Sequence, residues 1–185
     1  LMEGNSRYVS GIITQNGQNV VERRYELISG QDPLAVVLGC SDSRIPPEMI
    51  FDQGLGDIFV VRTAGQVLDN ASLGSIEYAV EHLEVPLIIV MGHEGCGAVT
   101  ATLEGGEAPG HMKYLVESIQ PAVDEANSKG NESELLNNSI NNNIKNIKRE
   151  LENASSILSE KMQSGELAIV AARYNMETGV VVILD

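Results

Sequence analysis

Cys40 and Cys96 are the only thiols in this chain of 185 residues. Two cysteines make no disulfide framework, so three roles stay open: a single bridge, metal ligands, or inert core thiols. Positive charge is also scarce. Twelve Lys+Arg against 26 Asp+Glu leave a net charge of −14. A surface of that sign repels phosphates, which argues against nucleic acid and anionic membranes as partners but does not oppose a small neutral molecule. Long apolar runs are missing as well. The longest, Val85 to Gly92, is interrupted by Pro86 and falls far short of the ~18–20 residues of a membrane helix. No secretory signal is visible. The chain opens mid-pattern at Leu1-Met2-Glu3, so an upstream segment is expected. The expected compartment is the cytoplasm, unless a targeting segment has been removed. No G-x-G-x-x-G or P-loop follows a strand and there is no C-x-x-C, which disfavours a nucleotide-binding enzyme and a thiol oxidoreductase.

What is present reads as one α/β domain spanning residues 1–185. Leu34–Leu38, Ile58–Val61, Leu87–Met91 and Leu167–Ala171 are near-continuous in Val, Ile and Leu. Strands covered on both faces of a parallel sheet read this way. A fifth run, Val180–Leu184, follows a turn. The expected architecture is therefore a mostly parallel central sheet, four parallel strands plus a C-terminal edge strand, flanked by helices. Helical spacing marks Ser72–Leu83, Cys96–Leu103, Met112–Ala126 with a kink expected at Pro121, and one long helix from Glu134 to Met162. The six Asn of Asn137–Asn146 read as the solvent face of that helix. Gly105–Gly110 and Asn127–Ser133 read as surface connections.

Two of the strand-like runs end in reactive residues. Leu34–Leu38 leads through Gly39 to Cys40-Ser41-Asp42-Ser43-Arg44, and Leu87–Met91 leads through Gly92 to His93-Glu94-Gly95-Cys96. Ligands of open parallel sheets bind beyond the carboxyl ends of strands. If these two strands are neighbours, Cys40, His93 and Cys96 converge, although Cys40 and His93 are 53 positions apart. Two thiolates and an imidazole suit Zn²⁺ and leave a fourth position open. His93-x-x-Cys96 alone is a weak signal; Cys40 at a second strand end strengthens it. Each residue also has a plainer reading: a buried core thiol, a satisfied core histidine, a packing residue at a helix start. Asp42 and Arg44 read either as a surface ion pair in a turn or as a carboxylate beside the open position, held by a two-pronged guanidinium contact that Lys could not make.

At this point the chain resembles the β-class carbonic anhydrases. Cys40-Ser41-Asp42-Ser43-Arg44 matches that family's C-x-D-x-R motif, and Gly92-His93-Glu94-Gly95-Cys96-Gly97-Ala98 matches its second zinc motif. Phe51–Arg62, Gly74–Val80, Tyr174–Leu184 and Gly4-Asn5-Ser6-Arg7-Tyr8 extend the similarity over nearly the whole chain. The resemblance implies zinc on Cys40, His93 and Cys96, with Asp42 and Arg44 as the catalytic pair. Asp42 would join the metal only in a closed, inactive state. Substrate-binding residues implied are Gln31, Phe59, Tyr78 and Gly97. The first three commonly reach the metal from a neighbouring subunit, so a homodimer or larger homo-oligomer is implied. Thr63 and Gln66 depart from the family's R-N-A-G-N pattern. Ala64 is a small pocket residue that would widen the cavity. Glu94 replaces the usual Ser or Thr and is expected to point to solvent. The absence of Trp removes a regulatory bicarbonate site that uses one.

The implied reaction is reversible hydration of CO₂ to bicarbonate and a proton. Zinc would generate hydroxide near neutral pH, Asp42 would orient it and Arg44 would hold Asp42. Two thiolates cancel the charge of zinc, so the bound water should be less acidic than on a His₃ site and activity should rise through and above about pH 7–8. CS₂ or COS hydrolysis on the same centre, and a non-catalytic zinc module closed by Asp42, are the rival readings. His82 and His111 receive no role.

Overall fold

Six consecutive buried residues, Ala35–Cys40, form the central strand β1. The computed structural model describes residues 1–128 and 132–184; the middle of the connection expected at residues 127–133 lies outside the described residues. The remaining strands are β2 (Ile58–Thr63), β3 (Leu87–His93), β4 (Ala168–Tyr174) and β5 (Val181–Leu184). The helices are α1 (Met2–Val9), α2 (Val20–Glu26), α3 (Pro47–Ile50), α4 (Asn70–His82), α5 (Gly97–Glu104), α6 (Met112–Ser128), α7 (Leu135–Ala154) and α8 (Ser156–Gln163). No described helix is long and apolar enough to cross a membrane.

The five strands lie in the order β2-β1-β3-β4-β5. The first four are parallel, and β5 closes the edge antiparallel to β4. This is the expected sheet, with four parallel strands that run two or three residues further than their apolar runs. Gly39 and Gly92 carry the ladders past the last aliphatic residue, pairing with Met91 and Arg173. Cys40 and His93 thereby become the last residues of their strands.

The chain leaves β1 for β2 on one side, then crosses back to place β3 on the other side of β1. A crevice opens at such a reversal of direction, at the carboxyl ends of the two diverging strands. α7 lies against β3 and β4 and buries Ile140, Ile144, Ile147 and Leu151. Ile144 sits so close to β3 that a Cβ on Gly92 would lie 2.5 Å from its side chain.

Two helix expectations change. The long helix breaks at Ser155, whose backbone is extended (φ −133, ψ 126). Its hydroxyl accepts from Leu158 N and donates to Glu77 Oε1 at 2.5 Å, so one serine caps α8 and ties it to α4. α6 is one helix with Pro121 inside it, close to the expected bounds. The Asn-rich stretch is helical as expected but is not simply a solvent face, because Asn143 is only 1% exposed and Asn142 donates to the Ala122 carbonyl on α6.

The early Gly-Asn-x-Arg-Tyr element works as a clamp for the fold. A Cβ at Gly4 would strike the Phe51 carbonyl at 1.8 Å. Buried Asn5 donates to the Ile50 and Gly179 carbonyls and accepts from Val181 N, joining α1 to α3 and β5. Arg7 pairs with the fully buried Asp52 at 2.5 Å, and the same carboxylate accepts from Thr14 N, Thr14 Oγ1 and Gln15 N. Burial alone pushes that carboxyl up, but the Arg7, Gln15 and Thr14 donors overcome it and hold Asp52 at about 2.

Because folding lowers this pKa, the stabilisation is complete above the ordinary carboxylate value of 3.8 and is lost as pH falls through about 2. Asp52→Asn, which leaves Arg7 without its counter-charge, should cost about 2–4 kcal/mol at neutral pH, read as a lower denaturation midpoint. The difference from wild type should shrink as the pH is taken below 4.

Candidate metal centre

β1 and β3 are hydrogen-bonded neighbours with Gly39 opposite Met91, so their ends deliver Cys40 and His93 to the same level of the crevice. Beyond β3 the chain turns through Gly95 in the left-handed region (φ 62) and places Cys96 at the N-cap of α5. The candidate ligand atoms of Cys40, His93 and Cys96 all lie within 4.8 Å of one another, and all three residues are buried. The two sulfurs are 4.0 Å apart and both cysteines are free, which excludes the bridged alternative.

The donor set fits a metal ion on an observation of its own. His93 Nδ1 lies 2.9 Å from the Glu94 carbonyl. A carbonyl only accepts, so the ring proton sits on Nδ1 and the Nε2 lone pair is free. That Nε2 is buried and has no hydrogen-bond partner. A tetrahedral ion with bonds of about 2.3 Å to sulfur separates its two sulfurs by slightly less than the spacing seen here.

The two thiols compete for one proton. Cys40 is drawn down, first by the Cys96 S–H, against burial, and then by the amides of Gly65 and Asp42. Cys96 is pushed up by that shared proton and by burial, although the Ala98 and Val99 amides at the start of α5 favour its thiolate. Gly65 N donates to Cys40 Sγ at 3.2 Å.

Asp42 stands beside the triad without joining it. Its Oδ2 is 3.9 Å from His93 Nε2. Arg44 grips it with two prongs, Nε to Oδ1 at 2.9 Å and Nη2 to Oδ2 at 2.7 Å, and Arg44 N adds a third bond at 3.0 Å. That grip holds the Asp42 carboxyl well below the usual carboxylate range. Reading the sequence gave Arg62 no role, yet its guanidinium donates to the Cys40 carbonyl at 2.8 Å and the Asp42 carbonyl at 2.6 Å. It pins the loop that carries both residues. Its sequence signal was its place at the end of the family-like Phe51–Arg62 segment; in the sheet it lies level with Gly39.

The remaining expected residues fall into two groups. Gly97 follows Cys96 directly and opens α5. Gln31, Phe59 and Tyr78 do not meet the triad within one chain. Phe59 pairs with Val36, four residues before Cys40, which puts it about 13 Å away along the strand. Tyr78 lies against Phe59 and His82, with ring centroids at 6.5 and 5.3 Å. Gln31 lines a surface groove with Arg24, Leu27, Ile28 and Leu55. Glu94 does not point freely to solvent: it accepts from Asn175 Nδ2 at 3.0 Å and lies 3.8 Å from the Arg173 guanidinium.

Known proteins show the same arrangement at the level of sequence and fold. A family model described as carbonic anhydrase matches residues 35–181. Carbonic anhydrase 2 of Mycobacterium tuberculosis is 44% identical, covering 100% of this chain and 90% of the relative. A carbonic anhydrase of Mycolicibacterium smegmatis is also 44% identical, over 97% of this chain and 87% of its own. Among solved structures, a β-carbonic anhydrase of Aspergillus fumigatus superposes with a TM-score of 0.83 at 26% identity, over 99% of this chain and 88% of that one. One of two tetrameric β-carbonic anhydrases of Sordaria macrospora gives 0.81 at 25%, over 98% and 93%. Two cysteines and a histidine gathered at the switch of a parallel sheet, in a chain alike from end to end, place this protein in the carbonic anhydrase family, in its β class.

Proposed function

We propose that Cys40, His93 and Cys96 hold zinc and that the protein hydrates CO₂ reversibly to bicarbonate and a proton. The buried imidazole nitrogen left without a partner between two sulfurs, with an ionised carboxylate 3.9 Å away, carries this reading. Zinc held there supplies a Lewis acid that acidifies the water it takes up, providing a nucleophile near neutral pH.

The chain's own residues then have separable tasks. Asp42 stays ionised because Arg44 binds both of its oxygens. An ionised carboxylate only accepts hydrogen bonds, so it holds the proton of the incoming nucleophile and turns the oxygen lone pair towards the substrate. Arg44 keeps Asp42 off the triad. Because Asp42 is not a fourth member of the ligand cluster, the arrangement supports an open catalytic centre over one closed by four protein ligands. Neutral CO₂ needs a small apolar space and no charged clamp.

The active form in this reading is a homodimer or larger homo-oligomer. Phe59 lies about 13 Å from the metal level of its own chain; Tyr78 packs against Phe59 and is 48% exposed. A second copy that brings these rings and Gln31 over its neighbour's triad supplies the apolar cover that one chain lacks. Sedimentation should show a species heavier than the 19.9 kDa chain. Tyr78→Ala should weaken CO₂ hydration without removing zinc.

Metal analysis of the wild type should find about one zinc per chain with rapid CO₂ hydration, and Cys96→Ser should lose both. Asp42→Asn should keep its zinc while turnover falls by roughly 10²–10⁴-fold, measured by stopped flow. Near-normal turnover in that variant would remove Asp42 from the mechanism.

A further inference from the structure

The buried face of α7 carries two polar residues, Ser139 and Asn143; Ser139 returns its hydroxyl to the Leu135 carbonyl of the same helix, whereas Asn143 bonds outside it. Ile140, Ile144 and Ile147 face the core, and Asn143 is buried among them at 1% exposure. A buried amide costs about 1–3 kcal/mol unless it is paired, so an aliphatic residue would be the cheaper choice for stability. Its pairing is specific: Nδ2 donates to the Gly65 carbonyl at 2.9 Å, across 78 positions of sequence. Gly65 in turn donates its N–H to Cys40 Sγ at 3.2 Å.

Gly65 needs an outside tether. Its backbone is left-handed (φ 69, ψ 19), and a Cβ there would lie 2.7 Å from Ile119 and 3.2 Å from Ala98. Glycine is therefore required at the position that aims a donor at the sulfur, and glycine is the least self-restrained residue. The strap around it is fixed at both ends. Ser41 N donates to the Thr63 carbonyl and Thr63 Oγ1 to the Val67 carbonyl. The hinge itself is held by Asn143 on one side and by the sulfur on the other.

We propose that Asn143 is a positioning residue for the metal centre: by fixing the Gly65 carbonyl it keeps the Gly65 N–H on the Cys40 sulfur. An N–H···S bond withdraws electron density from a metal-bound thiolate and fixes its direction. The proposal rests on the reading that Cys40 is a zinc ligand.

The test uses full-length protein loaded with zinc, and with cobalt as a spectroscopic stand-in. Asn143→Leu keeps the side-chain size and removes the donor. Its zinc affinity, measured by chelator competition, should fall about tenfold or more. The sulfur-to-cobalt charge-transfer band should move to longer wavelength as the sulfur becomes more electron-rich. Asn142→Ala is the control: it removes a comparable bond from α7 to α6 that does not lead to Gly65. It should lower the melting temperature and leave band and affinity unchanged. If Asn143→Leu does not fold, Asn143→Ala, too short to reach Gly65, is judged by the same two measurements. Unchanged band and affinity at position 143, or an equal shift in Asn142→Ala, would overturn the proposal while zinc binding by the wild type still stands. A wild type that takes up no zinc would overturn the reading of the centre itself, and this inference with it.

Discussion

The parallel pairing of β1 with β3 is the constraint from which the rest follows. Cys40 and His93 belong to segments with no local reason to meet. They meet because two apolar strands are hydrogen-bonded in one fixed register. A slip of one residue would turn every side chain of β3 to the opposite face, taking His93 from the crevice and Gly92 from Ile144. The core and the candidate centre therefore rest on the same hydrogen bonds. The buried aliphatic residues that stabilise the sheet also place the candidate ligands.

Charge inside the crevice runs against charge on the surface. The chain carries a net −14, yet three guanidinium groups bind residues of the two loops that carry the triad. Arg44 faces the Asp42 side chain, Arg62 binds the backbone of Cys40 and Asp42, and Arg173 stands near Glu94. Two sulfurs 4.0 Å apart cannot both be ionised without a cation between them or beside them. Metal binding in such a site is linked to the loss of the proton the thiols share.

Much of this was legible in the sequence. Continuous Val/Ile/Leu runs identified five strands and the mostly parallel sheet, and reactive residues just beyond two of those runs identified the triad and the Asp42–Arg44 pair. Helical periodicity was a coarser guide. It reports which positions are apolar and says nothing of which polar residue finds a buried carbonyl, so Asn143 read as surface and Ser155 as mid-helix. The same limit hid Arg62, whose partners are backbone carbonyls of a neighbouring strand and its loop. Glu94 was misread because its partners Arg173 and Asn175 come from the end of β4, some 80 positions away in sequence.

The lock on the imidazole of His93 is made by main chain. The carbonyl that takes the Nδ1 proton belongs to Glu94, and the amide of that residue is itself donated to the Tyr174 carbonyl at 3.1 Å. A side-chain partner could be lost to a single mutation, but a peptide carbonyl is common to every amino acid. The choice of tautomer is thus insulated from drift at position 94. Evolution is left free to vary the neighbour of its most sensitive nitrogen donor while the donor keeps its aim.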